Sequence, residues 1–194
     1  MGKLYFRYGT MNSGKSMQLL ATAYNFQERN IPFMVMKSSI DTRDNGVIHS
    51  RCLGDRECLI VTPQEDITTV FEKNHDIKKL TQWILIDEAQ FLTKEQVDQV
   101  ATLVDYYNIN VICYGLRTDF QTNLFEGSKR LFEIADSIEE IKSTCECGRK
   151  TIFNARVDSN GNVVTDGKQI EVGGNEKYVS MCRACYKKRI KGKK

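Results

Sequence analysis

Short apolar blocks alternate with stretches whose apolar residues recur at helical spacing. Lys3–Tyr8 is apolar-rich and aromatic and predicts a buried strand. After a glycine-bounded loop, Met17, Leu20, Ala21 and Tyr24 mark one face of a helix over Met17–Glu28. Pro32 opens a second strand, Phe33–Lys37, and the polar stretch Ser38–Arg56 reads as a long loop. Cys58–Val61 predicts a strand and Pro63–Lys73 a helix. Trp83-Ile84-Leu85-Ile86 is a strongly hydrophobic strand ending in Asp87. Thr93 can cap a helix to about Tyr107, with Val97, Val100, Ala101 and Val104 on one face. Asn110–Tyr114 and Leu124–Ala135 add a strand and a helix. Buried strands interleaved with helices predict an α/β fold with a mostly parallel sheet.

The pattern breaks near Lys142, which divides the chain into 1–142 and 143–190, with a basic tail, 187–194, expected to be disordered. From Thr144 onward come paired cysteines, an Asn160-Gly161 hairpin signal and Gly173-Gly174. This short, β-rich part is too small to bury much core, so a bound metal would help hold it. Cys182-x-x-Cys185 has standard zinc spacing, and Cys145-x-Cys147 is one residue tighter, with Gly148 to permit the turn. Four thiolates in two pairs favour a closed structural zinc site with four cysteine ligands. Cys113, inside an apolar strand, reads as core. Cys52, Cys58, His49 and His75 sit in no motif.

Seven cysteines and no secretory signal argue against a disulfide framework. No apolar run approaches the about 20 residues of a membrane span, so a cytosolic, membrane-free protein is expected. The net charge of +3 is misleading, because Lys187–Lys194 holds six Lys or Arg. The remainder carries 22 basic against 25 acidic residues. A basic nucleic-acid-binding face is therefore not expected.

Gly9-Thr10-Met11-Asn12-Ser13-Gly14-Lys15-Ser16 fits the P-loop pattern without a mismatch, between a predicted strand and a predicted helix. Its glycines let the chain wrap phosphate oxygens, and its N–H groups and the helix N-terminus attract the anion. Lys15 would bridge the β- and γ-phosphates of ATP, and Ser16 would ligate Mg²⁺. Asp87, ending its apolar strand, is the expected metal-associated carboxylate. Glu88 is the candidate base that orients the attacking oxygen, a substrate hydroxyl in a kinase or a water in an ATPase.

With these residues, the chain resembles the zinc-containing cytosolic thymidine kinases. The resemblance is carried by Tyr8–Ser16, Asp41-Thr42-Arg43, Asp87-Glu88-Ala89-Gln90-Phe91, Tyr114–Gln121, the cysteine pairs and Gly173–Tyr178. It implies a RecA-like domain plus a small zinc domain carrying a lasso-shaped loop. By that similarity Glu88 matches the catalytic base, and Asp41, Arg43 and Gln90 lie with the ATP·Mg²⁺ group. Phe91, Leu116, Phe120 and Phe125 match the pocket around the base. Ile170, Glu171, Val172, Gly173 and Tyr178 fall on the lasso. The resemblance also implies deoxythymidine as substrate, dTTP as feedback inhibitor and a homotetramer.

Read without it, Asp41-Thr42-Arg43 is equally a loop ion pair, the phenylalanines are equally core, and Gly173-Gly174 is equally a turn. The competing function is a nucleic-acid-stimulated ATPase, since Asp87–Gln90 resembles a helicase box. The single RecA-like domain and the slightly acidic body weigh against it.

Overall fold

The computed structural model describes residues 1–40, 46–50, 54–74, 80–169 and 177–190. In chain order its elements are β1 (Leu4–Gly9), α1 (Lys15–Glu28), β2 (Phe33–Ser38), β3 (Val47–Ser50), β4 (Gly54–Glu57), β5 (Leu59–Val61) and α2 (Ile67–Asn74). Then follow β6 (Trp83–Asp87), α3 (Lys94–Tyr107), β7 (Asn110–Gly115), α4 (Glu126–Ile134) and β8 (Ser137–Ile141). The chain closes with β9 (Phe153–Arg156), β10 (Tyr178–Met181) and α5 (Arg183–Ile190).

Six strands form one sheet in the order β5-β2-β6-β7-β1-β8, and every pairing in it is parallel. The expected α/β P-loop architecture holds. Alternate residues of each central strand feed two cores, because side chains alternate across a strand. Phe6, Ile84, Ile86, Val111 and Cys113 pack with α2, α3 and α4 on one face. Val35, Leu85, Ile112 and Tyr114 pack with α1 and Ile48 on the other. Both faces being covered explains the near-continuous apolar runs of β6 and β7.

Thr93 caps α3 as expected: its hydroxyl accepts from the Gln96 N–H, and the Gln96 side chain accepts from the Thr93 N–H. Val97, Val100, Leu103 and Val104 are buried. At about 1.5–3 kcal/mol for each such side chain, burial outweighs the intrinsic propensity of α3.

The structure departs from the expected pattern at four points. The inward face of α1 is Leu19, Leu20 and Ala23, while Met17 and Tyr24 are 46% and 60% exposed. Lys15 and Ser16 are drawn to Thr10 and Asp87, and this sets the rotation of the helix. Within Ser38–Arg56, β3 and β4 pair antiparallel, so the polar stretch is not all loop. Apart from Ile48, which enters the core beside α1, the hairpin is short and mostly polar and gives little apolar signal. β8 has no counterpart among the predicted elements: Ser137-Ile138-Glu139-Glu140-Ile141 is an exposed edge strand with polar positions, held by pairing to β1. Of the basic tail, residues 187–190 are the last turn of α5, and the rest lies outside the described residues.

A separate cluster of Cys145, Ala155, Val163, Met181, Cys182 and Tyr186 holds the C-terminal part together. Its framework is the antiparallel pair β9–β10. The expected Asn160-Gly161 reversal is present, with Gly161 at φ 76° and the Asp158 carboxylate accepting from the Asn160 and Asn162 N–H groups.

Candidate active site

The loop between β1 and α1 makes a nest at the C-terminal edge of the sheet. Asn12 and Gly14 take left-handed backbone, φ 58° and 89°, which turns successive N–H groups toward one hollow. A Cβ on Gly9 would stand 2.3 Å from the Ser13 Oγ and 2.7 Å from the Ile141 carbonyl, so no larger residue fits there. The Ser13 hydroxyl is buried without a partner among the described residues, as expected of a group awaiting an anion. Lys15 is buried, and its Nζ donates to the Thr10 carbonyl at 2.9 Å.

β7 lies between β1 and β6, and the site bridges it. Ser16 Oγ donates to Asp87 Oδ2 at 3.0 Å. Asp87 is 3% exposed, and burial, reinforced by the Glu88 charge beside it, pushes its carboxyl up to about 6. The Glu88 N–H, Lys15 and Ser16 offset this only in part. A buried carboxylate with incomplete compensation next to a serine hydroxyl is a donor set that suits a hard cation. Lys37, also buried, is the register partner of Asp87 on β2.

Glu88 has φ 52°, an uncommon conformation for a non-glycine residue. It caps the 3-10 turn Ala89–Phe91 that follows β6. Gln90 is 1% exposed; its Nε2 donates to Glu88 and its Oε1 accepts from the Leu116 N–H at 2.9 Å. Gln90 thus joins the Glu88 carboxylate to the end of β7. Phe91 meets Phe125 edge-on at 5.6 Å between ring centres, and the Ser128 hydroxyl donates to the Leu116 carbonyl. Glu88, Gln90, Phe91, Leu116 and Phe125 therefore form one wall. Phe120 stands apart from it, 2% exposed, beneath Arg156 and near Tyr178. Asp41, Arg43, Ile170, Glu171, Val172 and Gly173 lie outside the described residues.

Several residues without a sequence motif support the nest. Asn154 Oδ1 accepts from the Met11 N–H at 2.7 Å, and Ser180 Oγ donates to the Met11 carbonyl at 2.7 Å. The Thr10 hydroxyl bonds to those of Ser143 and Thr151 at 2.8 and 2.9 Å. These partners are 133 to 169 residues away in sequence, and no local pattern signals them.

The sulfurs of Cys145, Cys147, Cys182 and Cys185 all lie within 4.8 Å of one another. Tetrahedral Zn–S bonds of about 2.3 Å require sulfurs about 3.8 Å apart, so the cluster fits zinc. The tight first pair closes as Gly148 allows, with φ 80° and its N–H donating to the Cys145 carbonyl. The Cys185 N–H donates to Cys182 Sγ and holds that thiol down at about 6.

A family model described as thymidine kinase matches residues 2–186. The chain is 48% identical to a thymidine kinase of Mannheimia succiniciproducens over 190 residues, 97% of each chain. It is 48% identical to one of Pasteurella multocida over 191 residues, 98% of this chain and 99% of that one. It is 47% identical to one of Zymomonas mobilis over 184 residues, 94% of this chain and 95% of that one.

Proposed function

The chain belongs to the thymidine kinase family and phosphorylates thymidine with ATP, and from that premise we propose how its residues divide the work. The carrying observation is the junction of Ser16, Asp87 and Glu88 beside the phosphate nest. The nest of Gly9–Ser16 holds the triphosphate of ATP. Lys15 Nζ leaves the Thr10 carbonyl for β- and γ-oxygens. Ser16 and Asp87 would hold Mg²⁺, which would neutralise charge on the transferred phosphoryl group.

The 5′-oxygen of deoxythymidine attacks the γ-phosphorus while the bond to the bridging β–γ oxygen breaks, giving dTMP and ADP. Glu88 accepts the 5′-hydroxyl proton, with its carboxylate oriented by Gln90. Phe91, Leu116 and Phe125 supply an apolar wall that keeps water from the γ-phosphate, and Phe120 and Tyr178 belong to the thymidine side of the site, as the family resemblance implies. Asp41, Arg43 and the lasso residues Ile170–Gly173 are assigned by resemblance alone.

The four cysteines hold a structural zinc that stabilises the 143–190 part, and Tyr178 lies at the edge of the lasso. Homotetramer formation, dTTP inhibition and a cytosolic location complete the reading. Among the described residues, no helix is long and apolar enough to cross a membrane.

ADP release measured with thymidine, with single-stranded DNA and with neither tests the assignment. Release that requires thymidine is expected. Release stimulated by DNA and indifferent to thymidine would instead mark a nucleic-acid-dependent ATPase.

A further inference from the structure

Arg156, at the end of β9, is a cation 6% exposed that the mechanism above does not use. Its guanidinium carbon lies 3.8 Å from the centre of the Phe120 ring, which is direct stacking. The same group donates to the Tyr178 hydroxyl twice, from Nε at 3.2 Å and from one terminal nitrogen at 2.8 Å. That terminal nitrogen also donates to the Lys168 carbonyl at 3.0 Å. One side chain therefore grips the loop after β7, the chain at Lys168 and the first residue of β10.

Burying a guanidinium carries a large desolvation penalty unless its donors are used. Arg156 meets this with charge-assisted bonds and a π-face, and a lysine could not reproduce the planar fork. Neighbouring contacts reinforce the same junction. Gln169 Nε2 donates to Asp119 Oδ2 and Gln121 Nε2 to the Thr165 carbonyl, each at 3.0 Å, and Tyr186 donates to the Phe120 carbonyl at 3.0 Å. The Phe120 loop is thus fastened on both sides, and Arg156 reaches its ring and Tyr178 together. None of these contacts is made to the nest itself; Asn154 and Ser180, which support it, are the next cross-strand pair but one on the same strands β9 and β10.

We infer that Arg156 is a positioning residue for the nucleoside, fixing Phe120 and Tyr178 relative to each other, while the contacts to the nest are made by Asn154 and Ser180 two residues along the same strands. This rests on the reading of those two residues as part of the thymidine side of the site. Loss of a buried, charge-assisted pair of bonds should weaken thymidine binding by about 10- to 100-fold.

The test is steady-state kinetics on the zinc-loaded full chain, with thymidine and ATP varied in turn, for Arg156→Met, Arg156→Lys, Tyr178→Phe and the Arg156→Met/Tyr178→Phe pair. Arg156→Met is expected to raise the thymidine KM by that factor, with a smaller change in the ATP KM, parental zinc content and a lowered Tm, because buried bonds are lost. Arg156→Lys should recover part of the loss. Tyr178→Phe keeps the ring and removes the acceptor, so its KM should rise in the same direction. The double variant should be no worse than Arg156→Met alone.

An unchanged thymidine KM in Arg156→Met or in Tyr178→Phe overturns the inference, as does an equal rise in both KM values. Should Arg156→Met not fold, Tyr178→Phe decides by the same criterion. A parent protein that does not turn over thymidine would refute the underlying kinase reading instead.

Discussion

The Ser16 hydroxyl donates to the Asp87 carboxylate at 3.0 Å, joining the first turn of α1 to the end of β6 across the width of β7. Two elements far apart in sequence thereby present a hydroxyl and a carboxylate to one point beside the phosphate nest.

Glu88→Gln is the cleanest probe of the base. Glutamine retains an acceptor for Gln90 and tolerates the φ of 52° no better and no worse than glutamate, so the backbone should not relax. Turnover should fall by about 10²–10⁴-fold while ATP binding persists. Near-parental kcat in this variant would move the base elsewhere.

Asp87 gives a pH signature. Its folded value of about 6 lies above the ordinary 3.8, so the folded state holds this proton more tightly than the unfolded chain. The stability from that proton is fully present below about pH 4 and is lost as pH rises through about 6. In the ligand-free protein, Asp87→Asn should therefore gain ground on the parent between about pH 4 and pH 7, by at most about 3 kcal/mol. Parent kcat/KM for ATP should fall below about pH 6 as the carboxyl protonates. Denaturant unfolding at several pH values checks the first statement, and a pH–rate profile the second.

Asn154→Ala removes the acceptor of the Met11 N–H inside the phosphate nest. A lost bond of this kind, with a part-buried donor left unpaired, costs about 1–3 kcal/mol. The ATP KM should rise by about tenfold at the middle of that range. Titration with ATP or a non-hydrolysable analogue measures it directly, and an unchanged affinity would show that the nest stands without this support.

Removing zinc should reach further than the cysteines. The part of the chain that carries them also supplies Ser143, Thr151, Asn154 and Ser180 to the nest. Exhaustive chelation should lower Tm and weaken both ATP and thymidine binding, with recovery on adding zinc back. ATP affinity that is indifferent to chelation would separate the two parts energetically.

Much of this protein is legible as a linear pattern. The Gly9–Ser16 motif, the apolar strand ending in Asp87 and the Thr93 cap are signals contained within a few residues, so neighbouring chemistry alone specifies them. The cysteine pairs are local in the same sense. Exposed edges leave no such trace: β8 and the β3–β4 hairpin exist through backbone pairing that an apolar pattern does not encode. The rotation of α1 differs from the one Met17 and Tyr24 suggest, because Lys15 and Ser16 are drawn inward by the nest and by Asp87.

The sequence by itself determined an α/β domain with a P-loop pattern and a four-cysteine appendage, since each of those features is written within a short stretch of chain. Only the tertiary structure decided that Asn154 and Ser180 hold Met11, 143 and 169 residues away, and that Arg156 stacks on Phe120 and grips Tyr178. The physical reason is that hydrogen-bond partners are chosen by distance in space. A buried donor or guanidinium must find them wherever the packed sheet and the cysteine-bearing part happen to bring them.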